Sequence, residues 1–190
     1  MKRALFPSLF VGILSICLSA CSSKPPLPVL ATISDFKLTD QTGAEFSSAS
    51  LKGKVWIADF IFTHCPGPCP RMSSQMHKVQ IAFTGHDEVK LVSFTVDPAR
   101  DTPEVLAKYS EHFLAEPGRW FFLTGPMAAL NEIGFKSFKL NVVDGKEFDH
   151  STRFALVDQN GNVRGYYLTS EESAIPDLIS DARRLLKEHS

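Results

Sequence analysis

Apolar runs and helically spaced apolar positions alternate along this chain from Phe36 onward. Positions 54–62, built on Val55-Trp56-Ile57-Ala58-Asp59-Phe60-Ile61-Phe62, are short and almost continuously apolar, the pattern of a strand covered on both faces. Val89-Lys90-Leu91-Val92-Ser93-Phe94-Thr95-Val96 predicts a second buried strand, and Trp120 to Leu123 a third. Between the first two, Met72, Met76, Val79 and Phe83 recur at helical spacing and predict a helix from about Pro68 to Phe83. Between the second and third, Leu106, Tyr109 and Phe113 mark the inner face of another helix. Thr102 is its expected cap, with Pro103 at the first position and Glu104 beside the positive end of the dipole. Ala128 to Ile133 predicts a short helix. Leu178, Ile179, Ala182, Leu185 and Leu186 form the apolar stripe of a final one, with Pro176 near its start. Two hairpins complete the pattern. Phe36-Lys37-Leu38 and Ala44-Glu45-Phe46 flank Gly43, and Phe154 to Asp158 and Val163 to Leu168 flank Gln159-Asn160-Gly161-Asn162.

Strand–helix–strand–helix followed by an antiparallel hairpin and a helix predicts an α/β fold with a central mixed sheet covered on both faces. A pair of cysteines stands where the first central strand meets its helix, in Thr63-His64-Cys65-Pro66-Gly67-Pro68-Cys69-Pro70. That placement predicts a thioredoxin-like fold with an N-terminal β-hairpin extension.

The N-terminus changes the cysteine count. Lys2 and Arg3 precede a short apolar stretch from Leu5 to Leu18, then Leu18-Ser19-Ala20-Cys21. This resembles the lipobox of bacterial lipoproteins, in which the cysteine is lipidated and becomes the new N-terminus. The apolar stretch is short of the roughly 20 residues a spanning helix needs, which favours cleavage over a membrane anchor. The expected division is therefore 1–20 as signal peptide, 21–33 as a lipidated Pro-rich tether and 34–190 as the folded domain. Of four cysteines, Cys17 leaves with the signal and Cys21 carries lipid, so Cys65 and Cys69 are the remaining thiols. They lie in an exported compartment where disulfides can persist. Loss of Lys2 and Arg3 leaves 18 basic against 21 acidic residues, a mature charge near −3. With no basic block or stripe, nucleic-acid binding has little support. Membrane contact is expected through the lipid, on the periplasmic or extracytoplasmic side.

Residues i and i+4 of a helix share a face, about 5–6 Å apart at Cβ, so these thiols can share a soft metal ion or close as a disulfide. Free cysteine is often only a packed hydrophobe. Here proline on both sides and a glycine between make a stiff loop entering a helix N-terminus, where the dipole favours thiolate, the form that binds metal or attacks disulfides.

Three blocks of this sequence, in order, resemble the Sco/SenC family, thioredoxin-fold copper proteins that assist assembly of cytochrome c oxidase. They are Phe62-Thr63-His64-Cys65-Pro66-Gly67-Pro68-Cys69-Pro70, Val96-Asp97-Pro98-Ala99-Arg100-Asp101-Thr102-Pro103-Glu104, and Asp149-His150-Ser151-Thr152 ahead of a strand ending Val157-Asp158-Gln159-Asn160-Gly161. The resemblance implies that Cys65, Cys69 and His150 bind one copper ion. It also implies a client, the copper-binding subunit of cytochrome c oxidase or another exported cuproprotein. Pro66-Gly67-Pro68 departs from the Pro-Asp/Glu pattern expected in many members, without removing a ligand.

The ligand chemistry agrees with this. Thioredoxins place a proline before the antiparallel strand, facing the dithiol. The corresponding stretch here is Asp149-His150-Ser151, and no proline occurs between Pro126 and Pro176. Two thiolates and an imidazole suit Cu(I), and a further oxygen completes Cu(II). Zinc would accept the same donors. Asp97 is read either as a supporting group near the metal or as turn chemistry before Pro98. Arg100 and Asp101 are expected to fix that loop and cap the helix. Met72 and Met76 are expected in the core, His64 adjoins the motif and is placed to gate it, and His86, His112 and His189 read as surface residues. A competing function is a thiol–disulfide reductase, with Cys65 attacking and Cys69 resolving. A peroxidase fits less well, because Phe60 stands where a proline would be expected.

Overall fold

The structure, a computed structural model, describes residues 25–139 and 152–188. Eight strands form one mixed sheet: β1 (Ala31–Thr32), β2 (Lys37–Asp40), β3 (Glu45–Ser47), β4 (Val55–Ile61), β5 (Val89–Thr95), β6 (Trp120–Thr124), β7 (Arg153–Val157) and β8 (Asn162–Leu168). Their order across the sheet is β1-β8-β7-β4-β5-β6-β2-β3. β4, β5 and β6 are parallel, joined by α1 (Pro68–Ala82) and α2 (Pro103–His112), and β7 runs antiparallel to β4. α3 (Met127–Glu132) and α4 (Ala174–Lys187) complete the α-helices among the described residues. The thioredoxin-like α/β fold expected from the apolar pattern is the fold found.

Every residue of β4 is buried, because helices cover both faces of the sheet. Its side chains alternate between two cores. Val55, Ile57 and Ile61 join Met72, Met76 and Val79 of α1, Leu106 of α2 and Leu178 and Leu185 of α4. Trp56, Ala58 and Phe60 join Val92, Phe94, Leu130 and Phe138 on the other side. Thr102 caps α2 through its hydroxyl, as the sequence predicts. The hairpin around Gly43 also forms, and the positive φ of +83° there suits a residue without Cβ. β2 then extends the sheet by pairing with β6.

Two features differ from the pattern reading. The short helix expected to stop at Ile133 continues as a wider π-helical turn over Ile133–Ser137, closed by Phe138 N–H donating to the Ile133 carbonyl at 3.0 Å. Gly134 lowers local helix propensity and hides this extension. The turn delivers Phe138 to the second core, where it meets Trp56, Phe60 and Phe94 at centroid distances of 5.4–5.7 Å. The second feature is the Pro-rich stretch. From Pro25 it is extended, as a tether would be, but it lies against the domain. Leu30 N–H donates to Val163 and Ile33 N–H to Gly161, both at 2.8 Å, adding β1 to the sheet edge. The buried guanidinium of Arg164 also reaches the carbonyls of Leu27 and Pro28, and Arg184 that of Pro25. Two residues of strand are too few to leave a periodicity signal, and these anchors lie more than a hundred residues away. No helix among the described residues is long and apolar enough to cross a membrane.

Candidate metal centre

β4 ends at Ile61, and the loop that follows carries the cysteines into α1. Pro68 and Pro70 suit the first turn of a helix, where backbone N–H groups have no intrahelical partner. Cys69 is thus the second residue of α1, and Cys65 sits in the loop before it. Both are free thiols, 8% and 1% exposed respectively. The bare face of Gly67 lies beside Cys65: a Cβ built there would stand 4.0 Å from its Sγ. The loop is therefore closed over the sulfur by a residue with no side chain.

The two thiols differ in acidity. Burial works against ionisation of Cys65, but the backbone N–H of Cys69, its thiol and the Gly67 backbone N–H all donate to the sulfur and hold it below its ordinary value. Burial pushes the Cys69 thiol up to about 12; the Phe62 backbone opposes the rise, while the Cys65 sulfur and the Asp59 carboxylate add to it. Cys65 is the more acidic thiol of the pair, and Cys69 the one that keeps its proton. Both are soft sulfur donors, close enough to hydrogen-bond each other, at the positive end of a helix. That arrangement fits a thiophilic metal ion.

The second family-like block is wired into this loop through Asp101, which is fully buried. Its carboxylate accepts from Thr63 N–H at 3.2 and 3.3 Å, from the Thr63 hydroxyl at 2.6 Å and from the Thr95 hydroxyl at 2.5 Å. Thr95 in turn accepts from Asp97 N–H at 2.9 Å. Asp101 therefore fixes the loop, as expected, by binding the end of β5 to the residue two before Cys65. Thr102 alone caps α2 by its side chain. The Asp97 carboxylate faces Arg100, with Arg100 Nε at 2.5 Å. Met72 and Met76 are core, as expected.

Asp59 is a buried acid near the dithiol that the apolar pattern conceals. By strand alternation it faces α1 with Ile57 and Ile61, and it is fully buried. Neither carboxylate oxygen makes a hydrogen bond of normal geometry. Burial pushes its pKa up to about 7, against the weaker pull of the Ser93 hydroxyl and its own backbone. With neither oxygen in a proper bond, Ser93 is a favourable neighbour rather than a partner. Its hydroxyl already accepts from Trp120 Nε1 at 2.9 Å. Asp59 raises the pKa of Cys69 and of Tyr109, whose hydroxyl meets Ser73 at 2.9 Å on α1. An acidic residue inside an otherwise apolar strand was the available signal.

Among the described residues no three of His, Cys, Asp or Glu converge as a ready metal cage. His150 and Cys21 lie outside the described residues, as does His189. Thr152, two positions after His150, is held: its carbonyl accepts both the N–H and the hydroxyl of Thr169 at 2.8 Å. The Thr169 carbonyl accepts from Arg71 and from Gln75 Nε2 of α1. The strand leaving the His150 region is thereby bound to the helix that carries Cys69.

A thioredoxin-like sheet with a buried, acidity-split dithiol at the head of its first helix defines a thiol-chemistry or soft-metal protein. The sequence profile of the SCO1/SenC family matches residues 26–187, and the chain belongs to that family. Among solved structures, a SCO1/SenC family lipoprotein from Bacillus anthracis is 37% identical, with a TM-score of 0.73 over 82% of this chain and 95% of that one. BsSco, described as a member of the Sco family of cytochrome c oxidase assembly proteins with a disulfide switch, is 34% identical. Its TM-score is 0.76 over 87% of this chain and 99% of that one. ScoI from Bradyrhizobium japonicum, solved with copper bound, is 28% identical with a TM-score of 0.66, over 82% of this chain and 99% of that one.

Proposed function

We propose that this protein carries one copper ion on Cys65, Cys69 and His150 and passes it to an exported cuproprotein, the copper-binding subunit of cytochrome c oxidase being the implied client. The observation that carries the reading is the free, buried pair of thiols at the head of α1, with the pKa of Cys65 held below its ordinary value by donors to its sulfur. Thiolates and imidazole are the donors copper selects, and delivery by ligand exchange needs no turnover chemistry. Metal binding displaces the Cys69 proton. The copper-bound relative and the assembly role named for BsSco support the choice of metal and of client. Asp97 supports the site through Thr95 and Asp101 rather than by touching the metal. Cys21 carries the lipid that holds the exported domain at a membrane, a reading supported by the lipoprotein from Bacillus anthracis.

The test is copper per chain in reduced protein. Wild type should hold one equivalent, and Cys65→Ala, Cys69→Ala and His150→Ala should each fall well below it. Stoichiometric copper in all three variants would overturn the proposal. A sulfur-to-copper charge-transfer band that changes in His150→Ala would assign the third ligand.

The acidity split also favours a second reading, thiol–disulfide exchange with the client's own copper cysteines. Cys65, more exposed and more acidic, would attack, and Cys69 would resolve the mixed disulfide. Cys69→Ser should then trap a mixed disulfide through Cys65, and reductase activity that survives Cys65→Ala would exclude this role.

A further inference from the structure

We propose that His64 is the ligand through which copper enters and leaves the dithiol, its Nε2 taking the metal while a thiolate is exchanged. The inference rests on the copper reading above and adds a residue to it.

It begins with a count of protons. The buried Asp101 carboxylate is met by the N–H and hydroxyl of Thr63 and by the Thr95 hydroxyl. In each of these contacts the carboxyl oxygen of Asp101 is the acceptor. Thr63 has a single hydroxyl proton, and the 2.6 Å bond to Asp101 commits it there. Thr63 Oγ1 must therefore accept at its 3.0 Å contact with His64 Nδ1, and Nδ1 must carry the ring proton. In the neutral imidazole this leaves the lone pair on Nε2. His64 is exposed, and Nε2 has no protein partner among the described residues.

This is how metal-binding histidines are prepared. Their second nitrogen donates to an acceptor, usually backed by a carboxylate, which fixes the tautomer and raises the basicity of the ligating nitrogen. Here the relay runs from Asp101 through Thr63 to His64, from the buried end of β5 to the protein surface. Position supplies the rest. His64 adjoins Cys65, whereas the sulfurs are 8% and 1% exposed. The other exposed residues of the loop, Pro66 and Gly67, offer no donor side chain. A client ligand meets the exposed imidazole on the rim before it meets the nearly closed-off sulfurs. In the exchange one copper–Sγ bond breaks as the copper–Nε2 bond forms. Copper keeps its oxidation state, no electron moves, and the released thiolate takes a proton from solvent. The client's ligand then displaces Nε2, and further client ligands displace the second Sγ and the His150 nitrogen in turn, the second thiolate also taking a proton from solvent.

The experiment uses the full chain loaded with Cu(I), with a chromogenic Cu(I) chelator as acceptor and stopped-flow detection. His64→Gln should slow transfer about tenfold while copper stays at one per chain. Thr63→Val should slow it as well, because it breaks the relay and leaves His64 in place; Thr63→Ser, which keeps the hydroxyl, should restore the wild-type rate. A merely structural loss at Thr63 would lower stoichiometry rather than rate. Transfer at the wild-type rate in His64→Gln overturns the proposal, and so does loss of bound copper in that variant, which would make His64 a resident ligand. Wild type that takes up no copper overturns the copper reading itself, and this inference falls with it.

Discussion

The α3 side of the central sheet and the α1 side are both closed to water and both packed with rings, yet the α1 side adds groups that the α3 side lacks among the described residues. On the α3 side, rings do the packing: Phe60 stacks on Phe94 at 5.0 Å, and Phe138 meets Trp56 and Phe60 edge-on. On the α1 side, rings such as Phe83 and Phe122 are joined by two thiols, two methionine thioethers, a serine–tyrosine hydrogen bond and the unpaired carboxylate of Asp59 on the strand itself. Rings give a rigid, redox-inert floor. Sulfur and an orphaned carboxylate give a layer whose protonation can change, at a cost in stability. β4 thus separates support from chemistry by the parity of its residues.

That division can be broken from either side. The largest effect is expected at Phe138→Ala, which removes the ring shared by Trp56, Phe60 and Phe94. Unfolding in urea should show a loss of about 3–5 kcal/mol, with copper per folded chain unchanged. Next comes Asp59. With a folded pKa of about 7 against 3.8 ordinarily, it keeps a proton that the unfolded chain releases across this window. Stability should therefore be full at low pH for this group, fall as pH rises from about 4 to about 7, and level off above. The fall is worth about 4 kcal/mol if the whole shift is expressed, and Asp59→Asn should abolish it in denaturation series across that range. A smaller effect is expected at Cys65→Ser, which should cost about 1 kcal/mol or less in the same assay while removing the copper. Lys37→Ala, which breaks an exposed pair with Glu45, should change stability by about 0.5 kcal/mol or less and leave copper alone. Copper loss in Phe138→Ala at full folding would show that the two sides are not separable.

The same division explains what could be read from the chain alone. β4, β5, α1 and the capped α2 are legible because burial on two faces, a 3.6-residue apolar period and a Thr–Pro start each leave a local pattern. The cysteine loop is legible because proline, glycine and cysteine are rare in that combination. The π-helical turn is not, since Gly134 breaks the pattern that Phe138 would have extended. The bond between Asp101 and Thr63 spans 38 residues and exists only because β4 and β5 are parallel neighbours. Asp59 is visible as a charge in an apolar run, but its want of a partner is a property of the packed core. His150 stands on its ligand chemistry and on the family resemblance, and lies outside the described residues.

The docking of the N-terminal stretch has a consequence for reach. Ile33 pairs at Gly161 and Pro25 meets Arg184, whose neighbour Leu185 bonds Gln159. The chain therefore enters at the end of the sheet where β4 begins, opposite the dithiol. With Cys21 lipidated as proposed, only the links from Cys21 to Pro25 would remain as leash, at most about 14 Å when fully extended. A domain held so short would ride close to the bilayer with its far pole outward. Its partner would then have to present the receiving site at the height of one domain above the lipid, not at the lipid surface.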